Sequence, residues 1–139
     1  MNEAAIPQHI QRALAAIAEV APDLAGRIAA FANARPERRP LDGADCALLA
    51  AADAFEITFG RQRIRAWSWG RGPVVHLVHG WDGCAADLGR FVRPLVDSGM
   101  RVIAHDSIAH GASAGRTSSV HRMAAVLERV VEVTGGHAL

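Results

Sequence analysis

The residues best suited to chemistry lie in two short stretches, His79-Gly80-Trp81-Asp82-Gly83 and Asp106-Ser107-Ile108-Ala109-His110-Gly111-Ala112-Ser113. Each closes a short apolar run, residues 74–78 and 101–106, and open α/β sheets place ligands beyond the carboxyl ends of such strands. His76 and His79 form a His-x-x-His, with His105, Asp106 and His110 at the end of the next run. Imidazoles and carboxylates of this kind bind zinc. Residues three apart on a strand point to opposite faces, however, so His76 and His79 diverge and no metal site is expected. Cys84 begins a helix, a position that lowers a thiol pKa; its plain alternative is a small core residue. Gly80 and Gly83 make neither a dinucleotide-binding fingerprint nor a P-loop, because no third glycine and no Gly-Lys-Ser/Thr follows.

The elements that must position these loops can be read from periodicity. Ile6, Ile10, Leu14, Ile17 and Val20 predict an amphipathic helix. Pro22 and Asp23 open a second helix, with Leu24, Ile28 and Phe31 on one face, ending near Arg35 ahead of Pro36. Residues 35–40 (RPERRP) read as a solvated basic linker. Asp42 caps a third short helix that reaches about Asp53. Phe55, Ile57 and Phe59 alternate with Glu56 and Thr58, and a turn at residues 60–62 leads into a second strand at 63–69, which predicts a hairpin.

Residues 74–78 (VVHLV) and 101–106 (RVIAHD) read as strands buried on both faces. The helix between them carries Leu88, Phe91, Val92, Leu95 and Val96. Pro94 should bend it or leave its start irregular. Gly99 ends it. Ser118 or Ser119 caps a last helix whose inward positions are Val120, Met123, Ala124, Leu127, Val130 and Val131. Gly135 and Gly136 stop it. Residues 137–139 read as the start of a further strand. The fold class is thus α/β: N-terminal helices, a β-hairpin, then a β-α-β-α parallel unit. Its domains are expected at 1–40, a helical extension with the basic linker, and 41–139.

The 139 residues suit one domain, with half of them hydrophobic and a net charge of +1. That balance gives no case for nucleic acid or an anionic membrane. Cys46 and Cys84 form no CxxC, and the N-terminus has no basic, apolar leader pattern. The expected location is cytoplasmic.

Taken together, VVHLVHGWDG, the helix after it, and RVIAHDSIAHGAS resemble the α/β-hydrolase fold family over residues 54–139. The phrasing of WSWGRGPVVHLVHGWDG is most similar to bacterial esterase- or lipase-like members. The resemblance implies strand order 1-2-4-3 and hydrolysis of an ester or similar acyl substrate by a serine triad with an oxyanion hole. It gives Trp81 the oxyanion N–H, Gly80 the freedom to turn sharply, and His79 a structural tie between loops. Asp106, His110, Gly111 and Ser113 would hold the second loop. Ser113 is read as lacking the context that strains and exposes a nucleophilic serine. Ile108 and Ala109 stand where the family has Pro and Gly; Ala109 takes a positive φ at a cost, so a different loop shape is expected.

In this family the nucleophile follows the fifth strand, which would begin at His137. The serine, acid and histidine are therefore expected beyond Leu139, making the fold incomplete and the chain inactive alone. No cofactor is implied. The alternative is a non-catalytic truncated or split-gene half. Its strand 74–78, exposed as an edge, would self-associate or pair with a C-terminal half.

Overall fold

The computed structural model describes residues 7–135, and the chain divides into two compact units, residues 1–35 and 36–139. The first holds two helices, α1 (Gln8–Val20) and α2 (Pro22–Asn33). Pro22 opens α2 as expected, since a first turn has no use for its missing N–H. Leu24 and Phe31 remain half-exposed within this unit.

The second unit begins with α3 (Gly43–Ala50). Asp42 accepts from the Asp45 N–H at 2.8 Å, and the Asp45 carboxylate accepts from the Asp42 N–H at 3.1 Å. This reciprocal cap satisfies two orphan donors. The helix stops before Asp53, which already belongs to β1 (Asp53–Phe59). A two-residue turn, Gly60-Arg61, joins β1 to β2 (Gln62–Trp69), pairing Phe59 with Gln62. Gly60 sits at φ 59, a conformation glycine adopts without strain.

Two further strands follow, β3 (Val74–Leu77) and β4 (Arg101–His105). β4 runs antiparallel to β2 and parallel to β3, giving a four-stranded sheet in the order β1-β2-β4-β3. Among the described residues, β3 pairs with β4 alone. The β3–β4 connection contains a 3₁₀ turn, Ala85–Leu88, and then α4 (Gly89–Asp97). Pro94 lies inside α4, where it leaves the Arg90 carbonyl without its helical donor. The irregular start foreseen for this helix is the 3₁₀ turn.

Side-chain alternation along β2 and β4 builds two cores. Ile64, Ala66 and Ile103 face Val126 and Val130 of α5 (Val120–Thr134). Trp67, Trp69, Val102 and Ala104 face Ala85, Val92 and the half-buried Leu48 and Leu49. The Trp69 indole N–H donates to the Leu48 carbonyl at 3.2 Å, which satisfies a buried donor.

Ser119 caps α5 by accepting from the Arg122 N–H. The inward face of α5 differs from the one expected. Val120 is 74% exposed and Ala124 is exposed, whereas Val126 is fully buried. The buried stripe centres on Val126 and Val130. The strand expected at residues 137–139 lies outside the described residues.

Candidate active-site loops

The first loop begins where β3 ends. The Gly83 N–H donates to the Gly80 carbonyl at 3.1 Å, closing a β-turn with Trp81 and Asp82 at its centre. Asp82 has φ 60 and supplies the left-handed residue that the turn requires. This corrects the role expected of Gly80, which has no positive φ and open space where a Cβ would go. Trp81 is 39% exposed, and its indole meets the His110 ring edge-on at 5.4 Å. No acceptor among the described residues meets the Trp81 backbone N–H.

His79 ties the two loops together, the role its resemblance implies. Its Nδ1–H donates to the Gly80 carbonyl at 2.7 Å, and its Nε2 accepts from the Ser107 N–H at 2.9 Å. Those two bonds fix one neutral tautomer.

Asp106 organises the second loop. One carboxylate oxygen accepts from the Ala85 N–H and the other from the Ala112 N–H, each at 2.7 Å. Gly111, at φ 43, is required here, since a Cβ on it would sit 2.0 Å from the Asp106 carboxylate. His110 is fully buried, with Nδ1 bonded to the Ile108 carbonyl at 3.0 Å and Nε2 without a partner among the described residues. Burial lowers its pKa.

Ala109 does adopt a positive φ, 68°, with its N–H bonded to the Ala114 carbonyl. The loop thus keeps a left-handed residue at that position and carries strain of about 1–2 kcal/mol instead of changing course.

Ser113 needs a correction. Gly111-Ala112-Ser113-Ala114-Gly115 does spell Gly-X-Ser-X-Gly, so the context judged absent is present in the letters. The geometry is not that of a nucleophile. Ser113 is 1% exposed, its hydroxyl donates to the Asp106 carbonyl and accepts from the Arg65 N–H, and its φ is ordinary. A hydroxyl so committed fastens the loop to β2.

The linker is exposed at residues 37–40, as a solvated connection would be, and it is also fastened to its neighbours. Arg38 donates to the carbonyls of Ala109, Ser113 and Gly115, and Arg39 meets the carboxylates of Asp45 and Asp87. The only signal in the sequence was the run of basic residues itself, which is indistinguishable from a solvated one.

His76 bonds the Gly135 carbonyl at the end of α5, at 3.1 Å. His105, 1% exposed, has neither ring nitrogen bonded among the described residues, and burial, then the rings of His79 and His76, push its pKa down to about 4. Among the described residues no group of three His, Cys, Asp or Glu is placed to hold a metal. Cys84 is buried, and burial followed by the Asp87 carboxylate raises its thiol pKa, the reverse of activation. It lines a cavity of about 190 Å³ together with Arg38, Leu49, Trp67, Asp82 and Asp106.

No protein-family model matches the chain, and no curated protein does. Solved structures do. A thioesterase domain from the curacin biosynthetic pathway shares 29% identity, with a TM-score of 0.57 over 60% of this chain and 32% of its own. An epoxide hydrolase from an endophytic Streptomyces shares 26%, with a TM-score of 0.55 over 62% of this chain and 27% of its own. A Pyrococcus furiosus esterase shares 21%, with a TM-score of 0.59 over 72% of this chain and 40% of its own. With the strand order β1-β2-β4-β3 in place, the chain has a partial α/β-hydrolase fold. It spans about a third of the length of these relatives. No helix among the described residues is long and apolar enough to cross a membrane.

Proposed function

We propose that this chain supplies the oxyanion side of a hydrolase acting on an ester, thioester or similar acyl substrate. The carrying observation is the Trp81 N–H, presented on an exposed turn with no acceptor among the described residues while His79 and Ser107 hold the turn from below. A preorganised donor of this kind stabilises charge developing on a carbonyl oxygen. The serine, acid and histidine would come from polypeptide outside these 139 residues, since Ser113 is committed to the loop. A cytoplasmic location fits this reading.

The chain alone should not turn over p-nitrophenyl acetate; turnover abolished by a serine-directed phosphonate overturns the proposal. In a polypeptide that also carries the triad segment, Trp81→Pro removes the N–H at a turn position that favours proline. It should lower kcat by about 10²–10³-fold, while Trp81→Phe, which keeps the N–H, should not. Equal losses in both variants assign the role to the indole instead.

A second reading is a non-catalytic half that pairs through β3. It is favoured by the side of β3 left unpaired among the described residues. A monodisperse monomer with cooperative unfolding on size-exclusion chromatography and denaturant titration counts against it.

A further inference from the structure

The linker at residues 36–39 meets both loops at their strained points. Among the described residues, Asp82 and Ala109 are the non-glycine residues with positive φ, one in each loop. Adjacent linker residues hold them. The Glu37 N–H donates to the Asp82 carboxylate at 2.7 Å, and Arg38 Nε donates to the Ala109 carbonyl at 3.1 Å. Arg38 Nη2 adds the carbonyls of Ser113, at 2.8 Å, and Gly115, at 3.1 Å. Arg39 then fastens the linker to Asp45 of α3 and Asp87 of the 3₁₀ turn.

We infer that residues 37–39 form a strap that positions the Trp81 turn and the second loop, with Arg38 as its principal positioning residue. This rests on the reading of the Trp81 turn given above. The second loop lies between two opposite charges. Asp106 collects amides, Ala85 and Ala112, while Arg38 collects carbonyls, Ala109, Ser113 and Gly115. Among the described residues the Arg38 guanidinium has no carboxylate partner, and its fork is devoted to orienting peptide groups. A left-handed alanine persists only where its surroundings over-determine it, and a guanidinium on its carbonyl does that. The second loop's position reaches the first through the Ser107 N–H bonded to His79 and through the contact of the His110 ring with the Trp81 indole.

The test is a double-mutant cycle on the 139-residue chain, read by amide hydrogen exchange. Arg38→Gln should speed exchange at Ala109, His110 and Ser113 by about tenfold or more, and leave the β1–β2 hairpin unchanged. Arg38→Lys should not restore protection, because one ammonium cannot span three carbonyls. In an Ala109→Gly background, Arg38→Gln should accelerate the same amides by less than about threefold, since glycine needs no holding. Equal effects in both backgrounds, or acceleration spread evenly into the hairpin, overturn the inference. Should Arg38→Gln fail to fold, the milder Arg38→Lys carries the same comparison. Exchange does not depend on chemistry. Loosened loops together with an inert Trp81→Pro exchange would sink the oxyanion reading and leave the strap intact.

Discussion

The two loops at the carboxyl end of the sheet are held in opposite ways. The second is bonded along most of its length: His110 and Ser113 N–H groups bond carbonyls within it, Ala109 bonds Ala114, and Asp106 and Ala114 N–H groups reach back to Arg65 and Arg63 of β2. Its side chains are almost all buried. The first has one internal backbone bond, from Gly83 to Gly80, and otherwise depends on its neighbours Glu37 and Ser107. It exposes Gly80, Trp81 and Asp82. On the proposed function, the more heavily bonded second loop is scaffold, and the exposed first loop, which leaves the Trp81 N–H uncommitted among the described residues, is the one that meets substrate.

The contrast breaks most sharply at Asp106. Asp106→Ala leaves the buried Ala85 N–H and the part-buried Ala112 N–H without their acceptor, at up to about 1–3 kcal/mol each. Denaturant titration should show a loss of about 3–5 kcal/mol, with both loops losing exchange protection. A loss under 1 kcal/mol would mean that the second loop does not depend on this carboxylate.

Acid should act next. His105 titrates at about 4 in the folded chain against 6.5 for an unperturbed imidazole. Between those values the unfolded chain binds a proton that the folded one refuses. Stability is therefore complete above about pH 6.5, falls by about 3 kcal/mol as the pH drops to about 4, and levels below that. Urea midpoints measured from pH 7 to 4 should show the slope, and His105→Leu should flatten it. A slope that survives in the variant places the sensitive group elsewhere, with His110 the next to test.

The sequence made the frame of this contrast legible. The periodicity change at Phe55, the turn at Gly60-Arg61 and the two apolar runs are local signals, and each strand formed where they pointed. The strand order came from the resemblance, since local patterning carries no lateral order. What stayed hidden is non-local. Nothing about Arg38 distinguishes it from Arg35 or Arg61 until Ala109, Ser113 and Gly115 are brought beside it. Gly111-Ala112-Ser113-Ala114-Gly115 carries the letters of a nucleophile in a place where burial forbids one. The inward face of α5 slipped because Val120 is apolar yet stays exposed, which its residue type does not reveal.

The smallest effects separate glycines and alanines that the letters confuse. Ala109→Gly relieves strain of about 1–2 kcal/mol and loses a buried methyl worth about 0.8 kcal/mol, plus backbone entropy. Stability should stay within about 1 kcal/mol of the parent. Ala104→Gly, on a buried strand with no strain to relieve, should cost about 1–2 kcal/mol. Equal losses at the two sites would mean that Ala109 is not held against its preference. Gly80→Ala should change stability by less than about 0.5 kcal/mol, because its Cβ meets nothing and its φ is ordinary. A large loss there would return the turn's conformational demand to Gly80 and take it from Asp82. The asymmetry between the loops would then rest on a glycine after all.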